Sequence, residues 1–179
     1  MAKQSENEIR KVQLQDYEGF LKEIKIDSDR AKAILAGVYL EQCLALLLEN
    51  FLIDDPFISK DLFDSVTGPL NTFNQKTKLA YYLGLISEQE YKDLNVIRDI
   101  RNDFAHGMHG ITFEDQSIKD KCENLLIPNQ LKRKYDIRNK FLVSVFLLVS
   151  LLNQRASEIR TKRRKKADDL ILEDFIKAF

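Results

Sequence analysis

"RAKAILAGVYLEQCLALLLENFL", residues 30–52, reads as one long helix. Between Ile34 and Leu48 the apolar residues recur at helical spacing and run nearly all the way round the helix. A helix with so narrow a polar face must be surrounded, so it belongs in the middle of a bundle. Asp54-Asp55-Pro56 stops it. Asp55 is placed to cap a short following helix through Phe57, Ile58, Leu62 and Phe63, with Pro56 at its first position.

Asp27 or Ser28 caps the central helix, and a preceding helix is predicted over Glu6–Ile24. Thr72 and Gln75 form a capping box that opens "KTKLAYYLG", closed by Gly84. Ser87 and Glu90 form a second box, with Ile86 and Tyr91 spaced as a hydrophobic staple. The helix they start carries Tyr91, Leu94, Ile97, Ile100 and Phe104 and reaches His106, where Gly107 and Gly110 end it. "ITFEDQSI" is extended and leads to a short helix through Cys122 and Leu126, broken at Pro128. Asn129 is placed to cap a last long helix from Gln130 to about Asp168, with a core first half and a polar second half.

No period-two run is sustained and no repeat is visible. The class is all-α, a single-domain bundle of about four main helices plus short ones. The central helix is expected to pack against Ser87–His106 and Gln130–Leu152. Residues 1–159 form the helical domain, and residues 160–179 a basic helix extension followed by an amphipathic tail, "LILEDFIKAF".

Composition narrows the function. A chain of 179 residues can bury a core without metal or disulfides. Lys and Arg number 28 and Asp and Glu 28, so contact with RNA or DNA would need a local patch. Cys43 and Cys122 form no CxxC pair and read as reduced thiols of a cytoplasmic protein. The N-terminus has no apolar core of a signal peptide. "FLVSVFLLVSLL", residues 141–152, falls short of the roughly 20 residues that span a bilayer. No membrane association is expected.

The chemistry concentrates in "VIRDIRNDFAHGMHG", residues 96–110. Arg98, Asn102 and His106 are four apart and share a helix face. Arg101 lies five before His106, roughly 140° round the helix, yet both side chains are long enough to converge. A guanidinium fork grips phosphate oxygens, an imidazole passes protons near neutral pH, and a carboxamide orients either. Together they suit metal-free cleavage of a phosphodiester. A structural role suits them equally: His106 complements the helix dipole, and Arg98 and Arg101 can pair with Asp99, Asp103 or Glu90.

Lys76 and Lys78, with Tyr81 and Tyr82, can line a groove beside this corner. "RTKRRKK", residues 160–166, offers Arg163, Arg164 and Lys165 to nucleic-acid phosphates, or is a solvated extension balanced by Asp168, Asp169, Glu173 and Asp174. His106 and His109 make an HxxH without a third ligand, so no metal is expected. No Gly-rich phosphate loop or GxSxG motif is present, and no cofactor is expected.

Two resemblances bear on these residues. "RNDFAH", residues 101–106, resembles the Arg-x4-6-His signature of the HEPN superfamily of all-α proteins. That superfamily includes metal-independent endoribonucleases of toxin and defence systems. It implies His106 as general acid or base, Arg101 as the charge stabiliser and Asn102 as the orienting group, in a homodimer paired around the corner.

A longer stretch resembles the MltR family, that of the mannitol operon repressor. It runs from about Arg30 through Gly68-Pro69-Leu70, Lys78-Leu79-Ala80-Tyr81 and Gly84-Leu85-Ile86 to "RNDFAH" and Asp115. This resemblance implies a bacterial transcriptional regulator that acts through a protein partner, without a helix-turn-helix. The Arg101/Asn102/His106 corner is then structural or anion-binding. Whether the chain is an enzyme stays open between the two.

Overall fold

The computed structural model describes residues 27–107, 110–131 and 133–167, together with Gly19, Lys22 and Ile24. Six α-helices follow in order: α1 Asp29–Phe51, α2 Pro56–Phe63, α3 Phe73–Tyr82, α4 Glu88–His106, α5 Gln116–Glu123 and α6 Ile137–Ile159. Short 3-10 turns occupy Pro128–Leu131 and Arg160–Lys162. No strand occurs among the described residues.

As its all-round apolar surface requires, α1 lies in the middle. It packs most extensively on α6, then on α4 and α3. Leu40, Leu44, Leu47 and Leu48 of α1 are wholly buried against Leu94, Ile97, Ile100 and Phe104 of α4 and Phe141, Val145, Leu148 and Leu152 of α6. Each such side chain contributes about 1.5–3 kcal/mol by leaving water. Three rings tie α4, the loop before α5, and α6 together: Phe113 sits 5.2 Å from Phe104 and 5.1 Å from Phe141.

The helix starts are where local chemistry puts them. Ser28 accepts the Ala31 N–H and Asp55 the Ile58 N–H, and Pro56 opens α2. Both capping boxes are complete. Gly84, at φ 70°, closes α3: its N–H donates to Tyr81 and that of Leu85 to Ala80, each at 2.9 Å. This is the paired bonding that favours glycine in the left-handed region. Ile86 is buried, and Tyr91 stacks on Tyr81 at 4.6 Å between centroids.

Besides α5, which takes in Gln116, Ser117 and Ile118 of the stretch expected to be extended and ends at Glu123 before Leu126, two boundaries depart from expectation. First, α6 starts at Ile137 rather than Gln130, because Asp136, not Asn129, caps it by accepting the Asn139 N–H at 2.8 Å. The cause lies on α4. The buried Asp93 carboxylate accepts the N–H groups of Leu126 at 2.8 Å and Ile127 at 2.9 Å, and the Ser144 hydroxyl at 3.2 Å. The loop is pinned there and cannot turn into α6 at once.

Second, the helix does not continue to Asp168. After Lys162 the chain folds back over the end of α1. Arg164 donates its N–H to the Phe51 carbonyl at 2.8 Å and lays its guanidinium over the Phe51 ring. Arg163 donates to the Glu49 carbonyl at 2.7 Å and pairs with Asp54 at 2.5 Å. Lys166 reaches Asp55 at 3.2 Å. Orphan carbonyls and the negative end of a helix dipole attract cations in this way. The basic run is therefore a strap on the bundle rather than a helical extension.

The predicted first helix falls mostly outside the described residues, although Gly19 and Lys22 are helical and Ile24 is buried. The amphipathic tail lies outside them too. Among the described residues, Asp29–Phe51 and Ile137–Lys162 are long and apolar enough to cross a membrane by length and composition, which the 141–152 run alone does not suggest. In the fold they are each other's main packing partner.

Candidate functional site

The face of α4 that carries the polar corner opens on a cleft of about 750 Å³ between α1, α3 and α4. α4 supplies Tyr91, Asn95, Arg98, Arg101 and Asn102. The first turn of α3, held by the Thr72 box, supplies Phe73 and Asn74, with Lys78 a turn later. Gly37 and Glu41 of α1 complete the lining, with Asn71 at the rim before α3.

Arg98 is locked in place. Its Nη1 donates to Asn74 at 2.5 Å and Asn95 at 2.8 Å, and its Nε and Nη2 donate to Asp99 at 3.2 and 2.9 Å. Its expected pairing with Asp99 is thus present. Lys76 is buried, its side chain 6% exposed, and consumed by Glu41 at 2.8 Å. It holds the wall together and leaves Lys78, which is exposed, as the ammonium of the cleft.

Arg101 is placed differently. It is half-buried, and its Nη1 donates to the Asn102 carbonyl oxygen at 3.0 Å. The carboxylates offered to it by sequence are taken: Glu90 pairs with Arg155 at 2.6 Å, and Asp103 with Lys121. Among the described residues its guanidinium meets no carboxylate. Its aliphatic stem crosses α1 at Gly37, where a Cβ would lie 2.8 Å from the Arg101 Cγ.

His106 is not among the residues that line the cleft. It is exposed on the last turn of α4. There Gly107 closes the helix through its N–H to Asp103, and its carbonyl accepts from Arg30 at 2.6 Å. The structure thus brings Arg98, Arg101, Asn102 and Lys78 to one cleft and leaves His106 outside it. His109 lies outside the described residues. No cluster of metal-binding side chains occurs among the described residues.

Other expected site residues are scattered. Arg163 and Arg164 are spent on α1, and Lys165 is exposed at the far end of that helix. Tyr81 and Tyr82 do not line the cleft, whereas Tyr91 does. Sequence reasoning missed Gly37, Glu41, Asn71, Asn74 and Asn95. The one usable signal was Gly37 itself, a glycine inside a strongly apolar helix, which marks a close approach.

The fold is an all-helical bundle with a cationic cleft between its central helix and two neighbours, and residues 27–172 match the family model described as mannitol repressor. The chain belongs to the mannitol repressor family, MtlR. The match extends well beyond Asp115, so α6 and the basic run lie within the matched residues.

The mannitol operon repressors of Escherichia coli strain K12 and of Escherichia coli O6:H1 strain CFT073 are each 33% identical to it over 76 residues. Those residues are 41% of this chain and 38% of each repressor, so the chain spans less than two fifths of the curated relatives it matches. The X-ray structure of the MtlR-HPr complex from Escherichia coli shares the fold, with a TM-score of 0.61 and 22% identity. That likeness covers 83% of this chain and 98% of the other.

Proposed function

We propose that this chain is a cytoplasmic bacterial regulator of transcription that works by binding a protein partner rather than by reading DNA directly. The observation that carries this reading is the shared fold with a family member whose structure is a complex with HPr. Both repressors that match in sequence come from Escherichia coli, which supports the bacterial assignment. A second copy of the chain is the other partner in this reading, and its mass in solution tests that part.

Titration of the purified chain with HPr tests the main claim. Saturable binding is expected, without comparable binding to duplex DNA. No interaction up to about 100 μM HPr, where even a weak transient complex registers, sinks the HPr reading. Ribonuclease chemistry gets no support from the cleft, whose lining holds Arg101 and Asn102 but not His106.

A further inference from the structure

The proposed function assigns no role to the cleft between α1, α3 and α4. Its volume, about 750 Å³, is that of sites for small metabolites. The charged residues lining it are Lys78, Arg98 and Arg101 against Glu41. Lys76 neutralises Glu41, and Asp99 neutralises Arg98. The surplus positive charge therefore rests on Arg101 and Lys78. A half-buried guanidinium that meets no carboxylate among the described residues attracts an anion, and its planar fork matches a phosphate.

The neutral lining adds direction. Arg98 and Arg101 can only donate, so the Asn74, Asn95 and Asn102 side chains must turn their carbonyl oxygens toward them. The Asn95 amide then donates to the Tyr91 carbonyl, and the Asn71 amide to Ser65 and Val66. Within these bonds the Asn74 and Asn102 amides remain as donors and the Asn71 oxygen as an acceptor. The cleft is donor-rich, with two surplus cations, and it can also serve hydroxyl groups.

We propose that this cleft binds a small hydroxylated phosphate monoester, of the sugar or polyol phosphate class. Arg101 and Lys78 hold the dianionic phosphate, while Asn71 and Asn74 read hydroxyls. A polyanion fits less well. The basic run it would need to track along is at the other end of α1, where Arg163 and Lys166 are paired with Asp54 and Asp55.

Calorimetry on the full chain tests this with a panel of sugar and polyol phosphates, the parent sugars and polyols, inorganic phosphate and single-stranded RNA. At least one phosphate monoester binds, more tightly than inorganic phosphate, and its unphosphorylated parent does not. Arg101→Gln weakens that binding at least about tenfold, the loss of a charged hydrogen bond. Gly37→Ala is the second variant, since it moves the Arg101 stem while favouring helix. It weakens binding as well, and His106→Ala leaves it unchanged. The proposal is overturned if no monoester binds, if the parents or inorganic phosphate bind equally well, if both cleft variants bind like wild type, or if RNA alone binds. HPr titration is a separate readout, so either reading can fail without the other.

Discussion

Arg101 crosses the central helix at Gly37, where an added Cβ would come within 2.8 Å of the arginine Cγ. The contact joins a helix interior to the one cleft-lining guanidinium without a carboxylate among the described residues. Alanine at position 37 raises helix propensity by about 1 kcal/mol, which offsets the cost of moving the arginine stem. The urea midpoint of Gly37→Ala is expected close to wild type. Gly37→Leu overpacks the same contact and is expected to cost about 1–3 kcal/mol in the same measurement.

Asp29 joins three parts of the bundle. It accepts from Arg138 on α6 at 2.8 and 3.0 Å and from the buried Phe113 N–H at 3.1 Å. Asp29→Ala leaves that N–H unpaired and frees the arginine. A loss of about 2–3 kcal/mol is expected in urea unfolding. A loss under about 0.5 kcal/mol, typical of plain surface positions, would show that this junction contributes little.

Acid acts on the carboxylates with opposite signs. Burial resists ionisation of Asp29 and Glu90, but bonds from Arg138 and Phe113, and from Arg155 and Ser87, outweigh it and hold both below the usual carboxylate range. Their stabilisation is full above the unfolded pKa and is lost as pH falls through the folded one. Burial raises Asp93 despite the bonds from Leu126, Ile127 and Ser144, so its ionisation opposes folding and acid relieves it. The melting temperature is expected to fall on acidification below about pH 4. Glu90→Gln should flatten that fall, and Asp93→Asn should steepen it. An unchanged profile in both variants would remove these groups from the acid response.

The strap is expected to stabilise. Arg163→Ala removes the bond to the Glu49 carbonyl and the pair with Asp54. About 1–2 kcal/mol of stability should go with it. Nucleic-acid affinity lost at unchanged stability would instead return Arg163, Arg164 and Lys165 to a phosphate-binding role.

Cys122 is buried, and burial pushes its thiol up to about 12. Thiolate is the reactive species, so the native chain should react negligibly with a disulfide reagent at pH 8. Unfolding in denaturant should release both Cys122 and the buried Cys43 to rapid reaction. A fast thiol in the native protein would contradict the packing around it.

Most helix starts were legible because their signals act within three or four residues. Ser28, Asp55 with Pro56, and the Thr72–Gln75 and Ser87–Glu90 boxes each satisfy N–H groups in their own first turn. The α6 start was not, because Asn129 and Asp136 are both competent caps. The choice falls to Asp93 on α4, which holds the Leu126 and Ile127 N–H groups. The strap was illegible for a similar reason. A basic run reads as solvated until the last carbonyls of α1 and Asp54 and Asp55 are placed beside it.

The all-helical class, the buried place of α1 and the residues of the polar corner were legible in the chain alone, since periodicity and capping are local. How the charges of that corner are paired came from packing. It spent Glu90 on Arg155, Asp103 on Lys121 and Lys76 on Glu41, left Arg101 facing a cleft, and put His106 outside it. Charges are neutralised by whichever partner the packing brings close, and helices far apart in the chain supply those partners.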